Sequence, residues 1–205
     1  MSSDHGRPLR EQDAETDPHR QFSVWFAAAQ AAGIRLPEAA ALATSSPDGA
    51  PSVRMVLVKG FADGSFRFYS NYASRKGREL AANPQGALLF DWDELGRQVR
   101  IEGPVERIGV EESARYASSR PRRSQLSALA SPQSEVIDSR AELERRVAEL
   151  ERLHGDGDVP LPASWGGYRL TARTFEFWQQ RDDRLHDRLR YRRAEDAWLI
   201  ERLAP

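Results

Sequence analysis

The 205-residue sequence is 30% charged, with a net charge of −1 and a mean hydropathy of −0.66, values of a soluble chain whose overall field favours neither nucleic acid nor an anionic membrane. It has no cysteine, which excludes disulfides, thiolate nucleophiles and cysteine-based metal sites. Any anion site must be assembled locally from its arginines and its two lysines, Lys59 and Lys76.

Residues 1–16 lack apolar periodicity and an apolar signal core, so a flexible N-terminal arm is expected ahead of a single domain over 17–205. The longest mostly apolar stretch, 24–34, is too short to span a bilayer, so the reading is cytoplasmic with no membrane partner. Asp17 and Pro18 read as the N-cap and first position of a helix. Its stripe of Phe22, Trp25, Phe26 and Ala29 ends at Gly33. Strands follow at 39–46 and 52–59 around the turn Pro47-Asp48-Gly49, then at 66–70 after Ala62-Asp63-Gly64. A short helix at 71–83 closes at Pro84, and strands are expected at 86–92 and 97–108, the latter interrupted near Gly103-Pro104. A helix covers 111–119, 120–134 reads as irregular, and the capping box Ser139-x-x-Glu142 opens another helix. Strands at 167–179, 186–193 and 197–202 close the chain. Many short strands with helices inserted between them predict an antiparallel barrel in an α+β domain.

Four constellations carry chemistry. In Ser74-Arg75-Lys76 two cations occupy a first helical turn, where they oppose the helix dipole unless an anion binds there. Arg54 and Lys59 lie five apart on one strand, so they face opposite sides. Tyr116 and Arg120, at i and i+4, with Ser124 nearby, offer a guanidinium and two hydroxyls to a phosphate monoester. Arg184, His186 and Arg188 alternate onto one strand face near Trp178 and suit an anionic or π-rich ligand. The histidines His5, His19, His154 and His186 are scattered, so no metal is expected.

Ten runs then occur in collinear order. They are Arg54-Met-Val-Leu-Val-Lys59, Phe68-Tyr-Ser-Asn71, Ser74-Arg-Lys-Gly77, Gly96-Arg-Gln-Val-Arg100, Ser119-Arg-Pro-Arg122, Ser131-Pro-Gln-Ser134, Trp165-Gly-Gly-Tyr168, Glu176-Phe-Trp-Gln179, Arg184-Leu-His-Asp-Arg188 and Arg202-Leu-Ala-Pro205. From about Asp17 onward the chain thereby resembles the pyridoxamine 5′-phosphate oxidase family. The resemblance implies a split β-barrel homodimer with FMN at the subunit interface. It implies FMN contacts from Arg54, Met55, Val56, Leu57, Val58, Lys59, Tyr69, Ser70, Arg75, Lys76, Gln98, Gln133, Ser134, Trp178 and Arg188. It implies substrate contacts from Lys59, Tyr116, Arg120, Ser124, Arg184 and His186, the last two nearest the reacting carbon. The implied reaction oxidises pyridoxamine or pyridoxine 5′-phosphate at C4′ to pyridoxal 5′-phosphate, with dioxygen reduced to hydrogen peroxide.

The chain departs from the family pattern at four positions: Leu129 replaces a common Trp, Arg123 and Ser127 replace small residues, and Gln180 replaces a common Gly. The arm has no Tyr, and Arg7 or Arg10 would have to substitute for the basic residue found there. Two alternatives stand beside the vitamin B6 oxidase: a relative that oxidises a secondary-metabolite precursor, and a non-catalytic flavin or pyridoxal-phosphate carrier.

Overall fold

The computed structural model describes residues 8–61, 64–195 and 197–205. Residues 1–7 of the expected arm, Arg7 among them, and residues 62 and 63 of the turn at 62–64 lie outside the described residues.

Helix α1 (Pro18–Ala31) starts where local chemistry demands: the Asp17 carboxylate accepts from the His19 N–H at 2.9 Å, and Pro18 occupies the first helical position. The strands are β1 (Ala39–Ser45), β2 (Pro51–Gly60), β3 (Ser65–Asn71), β4 (Gln85–Trp92), β5 (Arg97–Arg107), β6 (Trp165–Thr171), β7 (Thr174–Gln179), β8 (Asp187–Ala194) and β9 (Ala197–Arg202). Helices α2 (Arg75–Ala82), α3 (Val110–Ser119), α4 (Arg122–Ala130) and α5 (Arg140–His154) sit between them. Neighbouring strands run antiparallel in the order β4-β1-β2-β3-β6-β5, and β4 also pairs with β5, which closes a six-stranded barrel. The sheet continues from β5 through β7 and β8 to β9.

Alternation on the strands fills the interior. Leu42, Phe66, Phe68, Leu88, Phe90, Ile101, Phe175 and Phe177 are wholly buried. The predicted stripe of α1 joins them: Phe22, Trp25 and Ala29 are buried, and Phe22 has ring centroids of Phe61, Phe66 and Phe90 each 5.0 Å away. No helix among the described residues is long and apolar enough to cross a membrane.

Three local expectations need correction. Strand β5 runs unbroken through Gly103 and Pro104; what changes there is its partner, β7 up to Glu102 and β6 from Val105. A Cβ on Gly103 would lie 1.9 Å from the Thr171 carbonyl oxygen, so only glycine allows that crossing. The run 167–179 is two strands, because the chain turns at Ala172 and Arg173. The segment 120–134 contains α4, whose buried face is only Leu126 and Ala130. In the described part of the arm Leu9 is buried, its N–H donates to the Asp187 carboxylate at 3.1 Å, and its carbonyl accepts from Arg202 at 2.9 Å.

Candidate active site

Strand β2 presents its odd-numbered residues outward, so Arg54 and Lys59 face opposite sides as their spacing requires. Val53, Met55 and Leu57 are 68%, 64% and 39% exposed on that outer face, beside Leu89 of β4 at 36%. An apolar stripe of this kind on a barrel wall marks a surface built to be covered.

A cavity of about 600 Å³ lies against this wall. Its lining includes Met55, Val56, Leu57, Lys59, Tyr69, Ser70, Lys76, Tyr116, Arg120, Ser124 and Gln133, all expected from the sequence. That volume is ordinary for a cofactor or small-molecule site.

One part of the lining is cationic. Ser74 caps α2, its hydroxyl accepting from the Gly77 N–H at 3.4 Å. Lys76 follows in the first turn and is buried. Its ammonium donates to Ser70 Oγ at 3.0 Å, Gln133 Oε1 at 3.3 Å and Ser74 Oγ at 3.4 Å, all neutral acceptors. Burial, and then the nearby charge of Arg54, push the Lys76 amine below its usual range. Arg54 and Arg75 instead converge on buried Glu79, with nitrogen–oxygen distances of 3.1 and 2.9 Å. Burial pushes the Glu79 carboxyl up, but hydrogen bonds from Ser52, Thr44, Arg75 and Arg54 outweigh it and hold the group down at about 2. These four side chains carry three positive charges and one negative, a surplus of two positive charges around the first turn of α2.

The second part is aromatic and polar. Tyr116 stacks on Tyr69 with centroids 3.7 Å apart. Arg120 lies over the Trp165 ring at 5.0 Å. Arg120 is not on the helix of Tyr116: it caps α3 in extended conformation, and Ser124 belongs to α4. The three still line one cavity because α4 turns back over it. Burial, then the charge of Glu112, raise the Tyr69 phenol above its usual range, which keeps it a neutral donor. Lys59 pairs with Glu38 at 3.0 Å.

The remaining expected residues stand elsewhere on the sheet. Gln98, Trp178 and Arg188 form one transverse row across β5, β7 and β8. Arg188 donates to Glu176 at 2.8 Å and to the Ala204 carbonyl at 2.8 Å. Arg184 and His186 are not on the strand with Arg188 but in the turn before it. Arg184 is exposed at φ +63°, a left-handed conformation that costs a residue with a Cβ roughly 1–2 kcal/mol. His186 lies beside Trp178, centroids 4.7 Å apart, and its Nδ1 accepts from the Arg181 N–H at 3.0 Å. That bond assigns the proton of the neutral ring to Nε2. None of Arg54, Val58, Arg75, Gln98, Ser134, Trp178, Arg184, His186 or Arg188 lines the 600 Å³ cavity.

Sequence reasoning missed Asn71, Pro121, Ala128, Ser131 and Trp165 in the lining and found Ser127 only as a departure. The Trp165-Gly-Gly run was the available signal for Trp165.

Fold and site together define a split β-barrel protein whose outer wall carries a cavity lined by cationic and aromatic side chains. The chain belongs to the pyridoxamine 5′-phosphate oxidase family: the model of that family matches residues 26–154, and that of the pyridoxine 5′-phosphate oxidase C-terminal dimerisation region matches 165–205. The second match supports a homodimer. The chain is 55% identical over 197 residues to the pyridoxine/pyridoxamine 5′-phosphate oxidase of Rubrobacter xylanophilus, covering 96% of this chain and 91% of that protein. To the same-named oxidase of Burkholderia lata it is 52% identical over 200 residues, covering 96% and 93%. The solved structure of PhzG from Burkholderia lata 383, in complex with tetrahydrophenazine-1-carboxylic acid, superposes with a TM-score of 0.91 at 33% identity, covering 98% of this chain and 99% of that one.

Proposed function

We propose that this chain is an FMN-dependent oxidase that converts pyridoxamine or pyridoxine 5′-phosphate to pyridoxal 5′-phosphate and reduces dioxygen to hydrogen peroxide. The observation that carries the reading is buried Lys76, which meets only neutral acceptors and shares a cavity with Arg120, Tyr116, Ser124 and Lys59. A desolvated cation without a carboxylate is the complement of a phosphate. The donor set therefore fits FMN: Lys76, Ser70, Gln133 and the α2 N-terminus would hold its phosphate. When bound, FMN supplies the two-electron acceptor that no side chain of this protein provides.

The chain's own groups bind and orient. Arg120, Ser124 and Tyr116 take the substrate phosphate, the guanidinium by paired N–H bonds. Lys59 lies on the same wall and bridges the two ligands. His186, with its proton on Nε2, and Arg184 steady charge at the reacting carbon. Their absence from the cavity of a single chain, together with the uncovered Val53, Met55, Leu57 and Leu89, supports a site completed across the homodimer. In that arrangement the row Gln98, Trp178 and Arg188 of one protomer closes the cavity of its partner.

The second reading, oxidation of a different reduced ring, draws on the likeness to PhzG. Within Burkholderia lata the chain is 52% identical to the oxidase against 33% to PhzG, and its phosphate set suits a phosphorylated substrate. The purified protein should be yellow and form pyridoxal phosphate and peroxide in air from either phosphate substrate. Absence of turnover with both would sink the proposal. Arg120→Ala should raise KM for the phosphate substrate by roughly ten- to a hundredfold while FMN stays bound.

A further inference from the structure

Trp165 has no role in the reading above, yet it touches each part of the aromatic wall. Its ring lies 5.7 Å from Tyr69 at 14° and 6.2 Å from Tyr116 at 4°, so the three rings are nearly parallel. Arg120 sits over its face at 5.0 Å. Strand register creates this arrangement. Asn71 pairs with Trp165 and Tyr69 with Gly167, which puts Tyr69 and Trp165 on one face of the β3–β6 ladder.

The two glycines after Trp165 are sterically required. A Cβ on Gly166 would lie 2.1 Å from the Tyr72 hydroxyl, and one on Gly167 2.2 Å from Ile108 and 2.8 Å from the Tyr69 ring. With no side chain at Gly167, Tyr69 lies flat over β6 toward Trp165. The Gly167 backbone also registers α3: its N–H donates to Ser113 Oγ at 3.1 Å, and its carbonyl accepts from the Ile108 N–H at 3.0 Å. The helix carrying Tyr116 and the strand carrying Trp165 are thus held together at one residue.

We infer that Trp165 is a positioning residue for the substrate phosphate, orienting Arg120 by a cation–π contact and Tyr116 through the parallel ring stack. This rests on the assignment of Arg120 and Tyr116 to that phosphate. An arginine held over a ring keeps its fork in one plane before the ligand arrives, which lowers the ordering cost of binding. The platform selects for a phosphorylated substrate and acts on binding.

The test uses the FMN-loaded enzyme and two probes: KM for pyridoxine phosphate, and the inhibition constant of inorganic phosphate as its competitor. Trp165→Leu should raise both by similar factors, roughly three- to thirtyfold, with the effect on KM rather than kcat. Trp165→Phe, which keeps a ring, should recover most of the loss. In the double variant with Arg120→Ala, Trp165→Leu should add less than its single effect, because both remove one interaction. An unchanged phosphate inhibition constant in Trp165→Leu, or fully multiplicative effects in the double variant, would overturn the inference. FMN content and melting temperature of Trp165→Phe guard against a folding artefact: loss of phosphate affinity in a fully flavinated, native-stability Trp165→Phe would also refute a role that any ring fills. If Arg120→Ala itself leaves KM unchanged, the assignment of the substrate phosphate fails and takes this inference with it. If Arg120→Ala acts and Trp165→Leu does not, only the inference fails.

Discussion

Replacing Lys76 with methionine keeps the aliphatic stem and deletes the charge. Without ligand, the ammonium has three hydrogen bonds of 3.0 to 3.4 Å to neutral oxygens, set against the cost of burying it. Each neutral bond contributes about 0.5–1.5 kcal/mol net, and desolvating an ammonium costs several kcal/mol. The flavin-free variant should therefore melt no lower than the flavin-free parent. With FMN bound, the lost bond is charge-assisted and contributes about 1.5–3 kcal/mol, so the FMN dissociation constant should rise about ten- to a hundredfold. Ser70, Gln133 and the α2 N-terminus remain, so binding should weaken without disappearing. Titrating flavin-free protein with FMN by fluorescence quenching gives the constant, and riboflavin, which lacks the phosphate, gives the control. An FMN constant that stays within threefold, or a riboflavin constant that rises in parallel, would refute the assignment of Lys76 to the FMN phosphate.

Other perturbations report on the surroundings. Glu79→Gln strips the carboxylate from two arginines and should cost about 3 kcal/mol of unfolding free energy at pH 7, read by urea titration. Because the folded Glu79 titrates at about 2, below its ordinary value of 4.5, its stabilisation is present above pH 4.5 and fades as pH falls toward 2. The gap between parent and Glu79→Gln should narrow over that window; a gap constant down to pH 3 would count against the network. His19 packs among Phe66, Phe175 and Trp198, and burial is the main cause lowering its imidazole below 6.5. The unfolded chain therefore takes up the proton before the fold does, and stability drops as pH falls below about 6.5. His19→Phe should flatten that slope, and an unchanged slope between pH 5 and 7 on chemical denaturation would show that another group sets it. Arg184→Gly relieves the left-handed backbone, so the melting temperature should hold or rise while kcat/KM falls; retained activity would remove Arg184 from the site.

The barrel was readable where local rules are strong. Asp17-Pro18, Ser74 and Ser139 each cap a helix as expected, and the strand pattern reproduces the ladders to within a residue or two at most ends. It failed where a boundary carries no local mark. Thr171-Ala-Arg-Thr174 has no glycine or proline, and only the change of partner from β3 to β8 shows that two strands meet there. Helix α4 was missed because its buried contacts are two residues, too few for a visible stripe. Arg184 and His186 were misplaced because alternation in sequence looks the same in a strand and in the turn ahead of it.

Residue chemistry alone singled out Lys76 with its helix cap and Arg120 with its hydroxyls as candidate anion sites. It also put Arg54 and Lys59 on opposite faces, because side chains on a strand alternate whatever the fold. Only tertiary structure decided which of these cations faces a carboxylate. Arg54 and Arg75 are drawn onto Glu79, brought to β2 by the packing of α2 on β1, while Lys76 is left with neutral hydrogen-bond partners. Charge pairing depends on distances across elements far apart in the chain, which no local pattern encodes.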